Sequence, residues 1–343
     1  MERLTAVLGI FFIIGLCYLF SVNRKSIKWR VVFWGLGLQI TFALLILRTG
    51  PGKTVFSIAS RGINKLLGFA DQGSAFLFGN LYNTSADIAE KIGQSSHYQF
   101  IDSSTGQFVD IGLIFAIHVL PTIIFFASFM SILYHFGVMQ KIVELISKIM
   151  VKTMKVSGAE SLSAASNIFV GQTEAPMVVK PFLGKMTQSE LMAIMTGGFA
   201  TIAGGVMAAF VKFGVNPGHI MAASVMSAPA AIMIAKVLYP ETEKPETFGA
   251  VKIQTPKTTT NFLDAATNGA IDGIQLAINV GGMLIAFISI VALVNFLLGH
   301  CDNILNWITF NHFQFHFDVS IQKIFQILFT PFAFFMGIPF KDI

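Results

Sequence analysis

Long apolar runs that are almost free of charge constrain this chain more than anything else in it. A bilayer core accepts about 20 apolar residues as helix, because nothing inside it hydrogen-bonds to an open backbone. The early stretches 4–22, 31–48 and 111–134 meet that requirement. The later stretches 190–214, 217–239, 263–299 and 321–338 are also apolar. Charged residues make up only 12% of the chain, against roughly a quarter in soluble domains. Too few charges remain to solvate a surface, so much of it must face lipid. The fold class that follows is an all-α polytopic membrane protein.

The remaining charges set an orientation. Arg24, Lys25, Lys28 and Arg30 crowd the loop between the first two runs, and Lys141, Lys148, Lys152 and Lys155 follow the third. Basic loops stay in the cytoplasm, and both clusters agree if the N-terminus lies outside. The net charge of +5 therefore reads as a membrane signature, and no nucleic-acid partner is expected. Between the runs, Val55–Leu67 suits an interfacial helix on the outer face. In 139–155, Lys141, Glu144, Lys148, Lys152 and Lys155 recur every three or four residues while Ile142, Ile146 and Ile149 mark the other side, as in an amphipathic surface helix. Cys17 and Cys301 form no CxxC pair, so neither a disulfide framework nor a zinc site is expected. No signal peptide is evident, since the first run is long enough to span and lacks a cleavage motif.

The segment 157–185, SGAESLSAASNIFVGQTEAPMVVKPFLGK, is apolar enough to enter a membrane and too broken to cross it. Two short helices meeting at a polar tip fit it, a geometry tolerated only where it is buried in protein or lines a cavity. Glu174 leads the chemistry, as an acid at membrane depth with no adjacent base. The next run holds MTGGFATIAGGV, whose two Gly-Gly pairs suit either close helix packing or a helix unwound around a ligand. A polar-tipped hairpin followed by a broken helix is how transporters build midplane sites. Asn167 and Thr201 would add neutral oxygens, which suit sodium. Lys180, Lys185 and Lys236 read as snorkelling side chains, and His118 as a hydrogen-bonded packing residue. The sequence carries no HExxH, GxSxG or Walker pattern, so no enzyme is expected.

NIFVGQTEAPMVVKPFL, MTGGFATIAGGVMAAFVKFGV and ASVMSAPAAIMIAKVLYPETE closely resemble consecutive stretches of the concentrative nucleoside transporters. LPTIIFFASFMSILYHFGVMQ before them and AINVGGMLIAFISIVALVN and TPFAFFMGIP after them extend the resemblance over essentially the whole chain. It implies scaffold spans and an interfacial helix in 1–134, and a cytoplasmic-face helix in 135–156. The first half of a transport domain would occupy 157–239, a loop 240–262, a long scaffold helix 263–299 and the start of a second hairpin 321–343. The family implies a homotrimer in a bacterial inner membrane, working as an elevator and driven by sodium or, alternatively, protons. Nucleobase contacts map onto Gln172, Thr173 and Glu174, with Val206 lining the pocket. Sodium ligands map onto the Asn167 side chain, the Val170 carbonyl, the Thr201 hydroxyl and the Ile202 carbonyl. No further cofactor is implied.

The resemblance stops at Ile343, where the family's second hairpin and its ribose-binding residues would begin. The expectation at this stage is therefore a sodium–nucleoside symporter lacking half of its sugar site and inactive alone. The alternative is a non-transporting remnant or one subunit of a split transporter.

Overall fold

A computed structural model of the chain describes residues 2–82, 114–172, 175–249, 259–308 and 320–339. Among them every regular element is helical, apart from one isolated bridge between Ser157 and Phe248. The chain divides into two units, one made of Met1–Phe20 with Asn279–Ile343 and the other of Ser21–Ile278.

The larger unit holds α2 (Trp29–Arg48), α3 (Gly50–Phe78), α4 (Leu120–His135), α5 (Val138–Met154) and α6 (Gly158–Asn167). It continues through a 3-10 segment (Ala175–Lys185) to α7 (Gln188–Ala200), α8 (Gly204–Lys212) and α9 (Pro217–Leu238). The long helix α10 (Phe262–Ile308) begins in this unit. In the smaller unit, α1 (Glu2–Leu19) packs on α11 (Ile321–Phe335), with the Phe12 ring stacked 4.2 Å from that of Phe335. Among the described residues, five helical stretches are long and apolar enough to cross a membrane: Trp29–Ile46, Phe115–His135, Gln188–Lys212, Pro217–Leu238 and Phe262–His300. α1 and α11 are apolar but shorter.

Several expectations need correction. α3 starts at Gly50, directly after α2, and runs 29 residues rather than covering only 55–67. Its start is fixed by Thr49, whose hydroxyl accepts the Gly52 N–H at 3.0 Å. α10 does not stop at Gly299 but continues to Ile308. On α5 the buried stripe is Met139, Val143, Ser147, Met150 and Met154, while Ile142 and Ile149 are exposed. The apolar arc of that helix is wide, and tertiary packing selected its other edge. Lys236 does not snorkel: its side chain is 6% exposed and is ion-paired with Glu160 and Glu241.

Polar residues organise one end of the unit. α6 and α7 each open with a capping box, Ser157 with Glu160 and Thr187 with Glu190. Thr247 joins them: its hydroxyl accepts the Ala159 N–H at 3.2 Å and donates to Glu190 Oε1 at 3.4 Å. Its carbonyl also accepts the Gly158 N–H at 2.8 Å. Every residue of α6 is buried despite its serine-rich sequence. Ser161 and Ser166 turn their hydroxyls back onto helix carbonyls, which satisfies them without water.

At the other end, Lys212 pairs with Asp71 and stands 3.2 Å from the Tyr82 hydroxyl, tying α8 to α3. As expected, His118 is a hydrogen-bonded packing residue. Its Nδ1 lies 3.0 Å from the Ile114 carbonyl, its Nε2 3.0 Å from the Tyr82 carbonyl, and its ring stacks on Tyr82.

Candidate functional site

α6 ends at Asn167, and the chain turns through Ile168, Phe169 and Val170, whose N–H donates to the Ser166 carbonyl at 3.0 Å. The run 190–214 is not one helix. α7 stops at Ala200, Thr201 is extended (φ −117, ψ 154), and α8 restarts at Gly204. Residues 201–203 thus sit outside the helical ladder, and Ala203 gives α8 no side-chain cap. Open carbonyls at the end of α7 and open N–H groups at the start of α8 meet at the break.

Missing side chains let the turn after α6 approach this break. A Cβ on Gly204 would lie 2.5 Å from the Phe169 carbonyl oxygen and 2.4 Å from a Phe126 ring carbon. Cβ atoms on Gly197 and Gly198 would meet Asn167 and Gln172 respectively. Val170 and Ile202 pack against one apolar cluster, built from Leu67, Phe126, Met130, Met139, Met207, Ala208 and Ile220. Five elements, α3, α4, α5, α8 and α9, therefore fix the position of both residues.

Asn167 is the anomaly. Its side chain is fully buried, and neither its oxygen nor its nitrogen has a hydrogen-bond partner among the described residues. An unpaired buried amide group costs about 1–3 kcal/mol, so a group in this state calls for a ligand. Thr201 donates its hydroxyl to the Gly197 carbonyl at 2.9 Å, which leaves the oxygen's lone pairs available.

The structure brings Asn167, Val170, Gln172, Thr201, Ile202 and Val206 into one region around the break. Val206 lies in the first turn of α8 and is half-buried, while Gln172 is exposed. Thr173 and Glu174 lie outside the described residues. Sequence reasoning did not single out the buried acids Glu160 and Glu190 as helix caps, although S-x-x-E and T-x-x-E were legible signals. It also missed the Gly269–Gly273 spacing on α10, where the helix backs onto α4.

Three family models match the chain. "Na+ dependent nucleoside transporter N-terminus" covers residues 8–81, "Nucleoside recognition" covers 116–216, and "Na+ dependent nucleoside transporter C-terminus" covers 219–343. Solute carrier family 28 member 3 of Mus musculus is 38% identical over 343 residues, covering 99% of this chain and 43% of that protein. The chain thus spans less than half the length of that relative. An uncharacterized transporter of Bacillus subtilis, YutK, is 36% identical over 100% of this chain and 76% of its own. The solved structure of CNTnw in an inward-facing substrate-bound state superposes with a TM-score of 0.83 at 37% identity. It covers 100% of this chain and 75% of that one.

Proposed function

Since the chain belongs to the Na+ dependent nucleoside transporter family, a family of transporters and not of enzymes, we propose that it binds sodium and a nucleoside side by side and carries them together across the bilayer. Sodium sits between the Asn167 side-chain oxygen, the Val170 and Ile202 carbonyls and the Thr201 hydroxyl. The nucleobase meets Gln172, Thr173 and Glu174 against Val206. The observation that carries this reading is the fully buried Asn167 amide, without a partner among the described residues, set beside an unwound helix segment. Neutral oxygens suit a monovalent cation, whose single charge needs little compensation, and the electrostatically positive start of α8 suits polar groups of a base.

The segment 157–185 would be a re-entrant hairpin. With α7, α8 and α9 it would move against a scaffold of the early helices and α10, as an elevator within a homotrimer. The basic clusters would face the cytoplasm of a bacterial cell, with the N-terminus outside. Family description and ion chemistry both favour sodium over protons as the coupling ion.

Two measurements test the proposal. Purified chain should retain labelled uridine in sodium and lose it in potassium, and cells lacking other nucleoside carriers should take up uridine along a sodium gradient. Asn167→Ala should abolish the sodium dependence of both. Retention and uptake that ignore sodium but follow a proton gradient would refute the ion assignment, and no retention in either salt would refute the joint site.

A further inference from the structure

Gly197 and Gly198 are consecutive residues near the end of α7, and neither has the positive φ that only glycine adopts freely. Alanine would fit the helical backbone at both positions and favour the helix. Conformational freedom therefore does not explain either glycine, and space does. A Cβ on Gly197 would stand 3.2 Å from Asn167 Nδ2. A Cβ on Gly198 would stand 3.0 Å from Gln172 Cβ and 3.6 Å from Gln172 Cα. Neighbouring residues on a helix point about 100° apart, so the two clear different directions. One admits the amide assigned to the ion, and the other admits the residue assigned to the base.

Resting on the joint sodium–nucleoside site proposed above, we infer that Gly197 and Gly198 are separate positioning residues, Gly197 for the ion and Gly198 for the nucleobase. Gly197 is held between both side-chain ligands of the ion, because its carbonyl accepts the Thr201 hydroxyl at 2.9 Å while its open face receives Asn167. A methyl group there crowds the Asn167 amide and forces it out of its present position, which disturbs the ion site. A methyl group on Gly198 meets the Cβ of Gln172, not its flexible end, and so displaces the backbone that carries the base contacts. The pair also explains how a single helix turn serves two ligands without merging them. The rival account, glycines that merely let helices pack closely, predicts that filling either position disturbs both ligands alike.

The test uses the full chain, purified in lipid nanodiscs, as wild type, Gly197→Ala and Gly198→Ala. Sodium affinity is read from the rise in melting temperature with sodium in the absence of nucleoside. Uridine affinity is read by labelled-ligand binding at saturating sodium. Gly197→Ala should raise the half-saturating sodium concentration by roughly tenfold while uridine affinity stays within about twofold. Gly198→Ala should do the reverse by similar factors. Ligand-free melting at or above the wild-type temperature establishes that each variant is folded. A variant that melts lower is judged by the same two affinities, with uridine binding measured below its own melting transition, where it is folded. Both variants shifting both affinities, or neither shifting either, would overturn the inference. A wild type that answers to neither ligand, or to only one, would instead sink the joint site and the inference with it.

Discussion

Lys236 Nζ stands 2.8 Å from Glu160 Oε2, with the two side chains 6% and 1% exposed, so the last turns of α9 are ion-paired to the first turn of α6. Glu241 adds a second carboxylate 3.1 Å from the same nitrogen, and the Ser189 hydroxyl accepts from it at 3.0 Å. A buried pair of this kind gives less net stability than its geometry suggests, because both charges lose their water. Its effect is geometric. It locks α6, α7 and α9 at one end, which sets the angle at which α6 carries Asn167 toward the helix break.

Removing the cation alone should therefore be costly. Lys236→Met leaves Glu160 and Glu241 buried without a counter-charge, and should destabilise the chain by about 3–5 kcal/mol. The check is thermal melting in detergent, followed by size-exclusion profile. The double replacement Lys236→Met with Glu160→Gln should recover much of the loss. Equal damage from single and double variants would argue against the pair.

Gly204→Ala should displace the Phe169 carbonyl and the Phe126 ring, both closer than contact distance to the new methyl. Overpacking of this type costs about 1–3 kcal/mol. Since Phe169 precedes Val170, sodium-induced stabilisation should fall as well. Melting curves with and without sodium separate the two effects.

On α10, a Cβ on Gly273 would lie 2.7 Å from Ile124 Cα, and one on Gly269 would lie 2.8 Å from both the Ala127 carbonyl oxygen and Ser128 Cα. Backbone meets backbone there, so no side chain can give way. Gly273→Val should force α10 and α4 apart and cost about 2 kcal/mol or more. Gly282, which meets nothing within 4 Å, is the control, and its replacement by alanine should leave melting unchanged.

The pair Lys212–Asp71 behaves differently, because its side chains are 18% and 37% exposed. A double-mutant cycle with Lys212→Met and Asp71→Asn should return a coupling of only about 0.5–1 kcal/mol in stability. If α8 moves relative to α3 during transport, the same variants should change uridine turnover more than they change melting. Turnover that tracks melting in every variant would mean the pair has no role beyond holding the fold.

Much of the architecture was legible in the residues. Apolar runs marked the five stretches long enough to span among the described residues, although 4–22 and 321–338 gave shorter helices. Gly-Gly pairs with Thr201 between them marked the break that divides α7 from α8. The turn after α6 was legible too, since 157–185 is too polar to cross as one helix and is interrupted at Gly171 and Pro176. The choice of face was not. On α5 both Ile142 and Met139 fit an apolar arc, and only the packing of α4, α6 and α8 decided that Met139 turns inward. Lys236 failed for the same reason: a lysine near a helix end reads as a snorkelling residue until acids from two other elements close over it.

The sequence alone determined that the chain is helical, lies in a membrane and breaks where it does, because hydropathy, backbone satisfaction and glycine spacing are local properties. Tertiary structure decided which groups meet at those breaks. Asn167 became a buried amide without a partner among the described residues, Gly197 and Gly198 became the clearance for Asn167 and Gln172, and Glu160 became the partner of Lys236 only once helices distant in sequence were packed together. Contact between such residues depends on helix rotation and approach, to within a fraction of an ångström, and no local pattern encodes that.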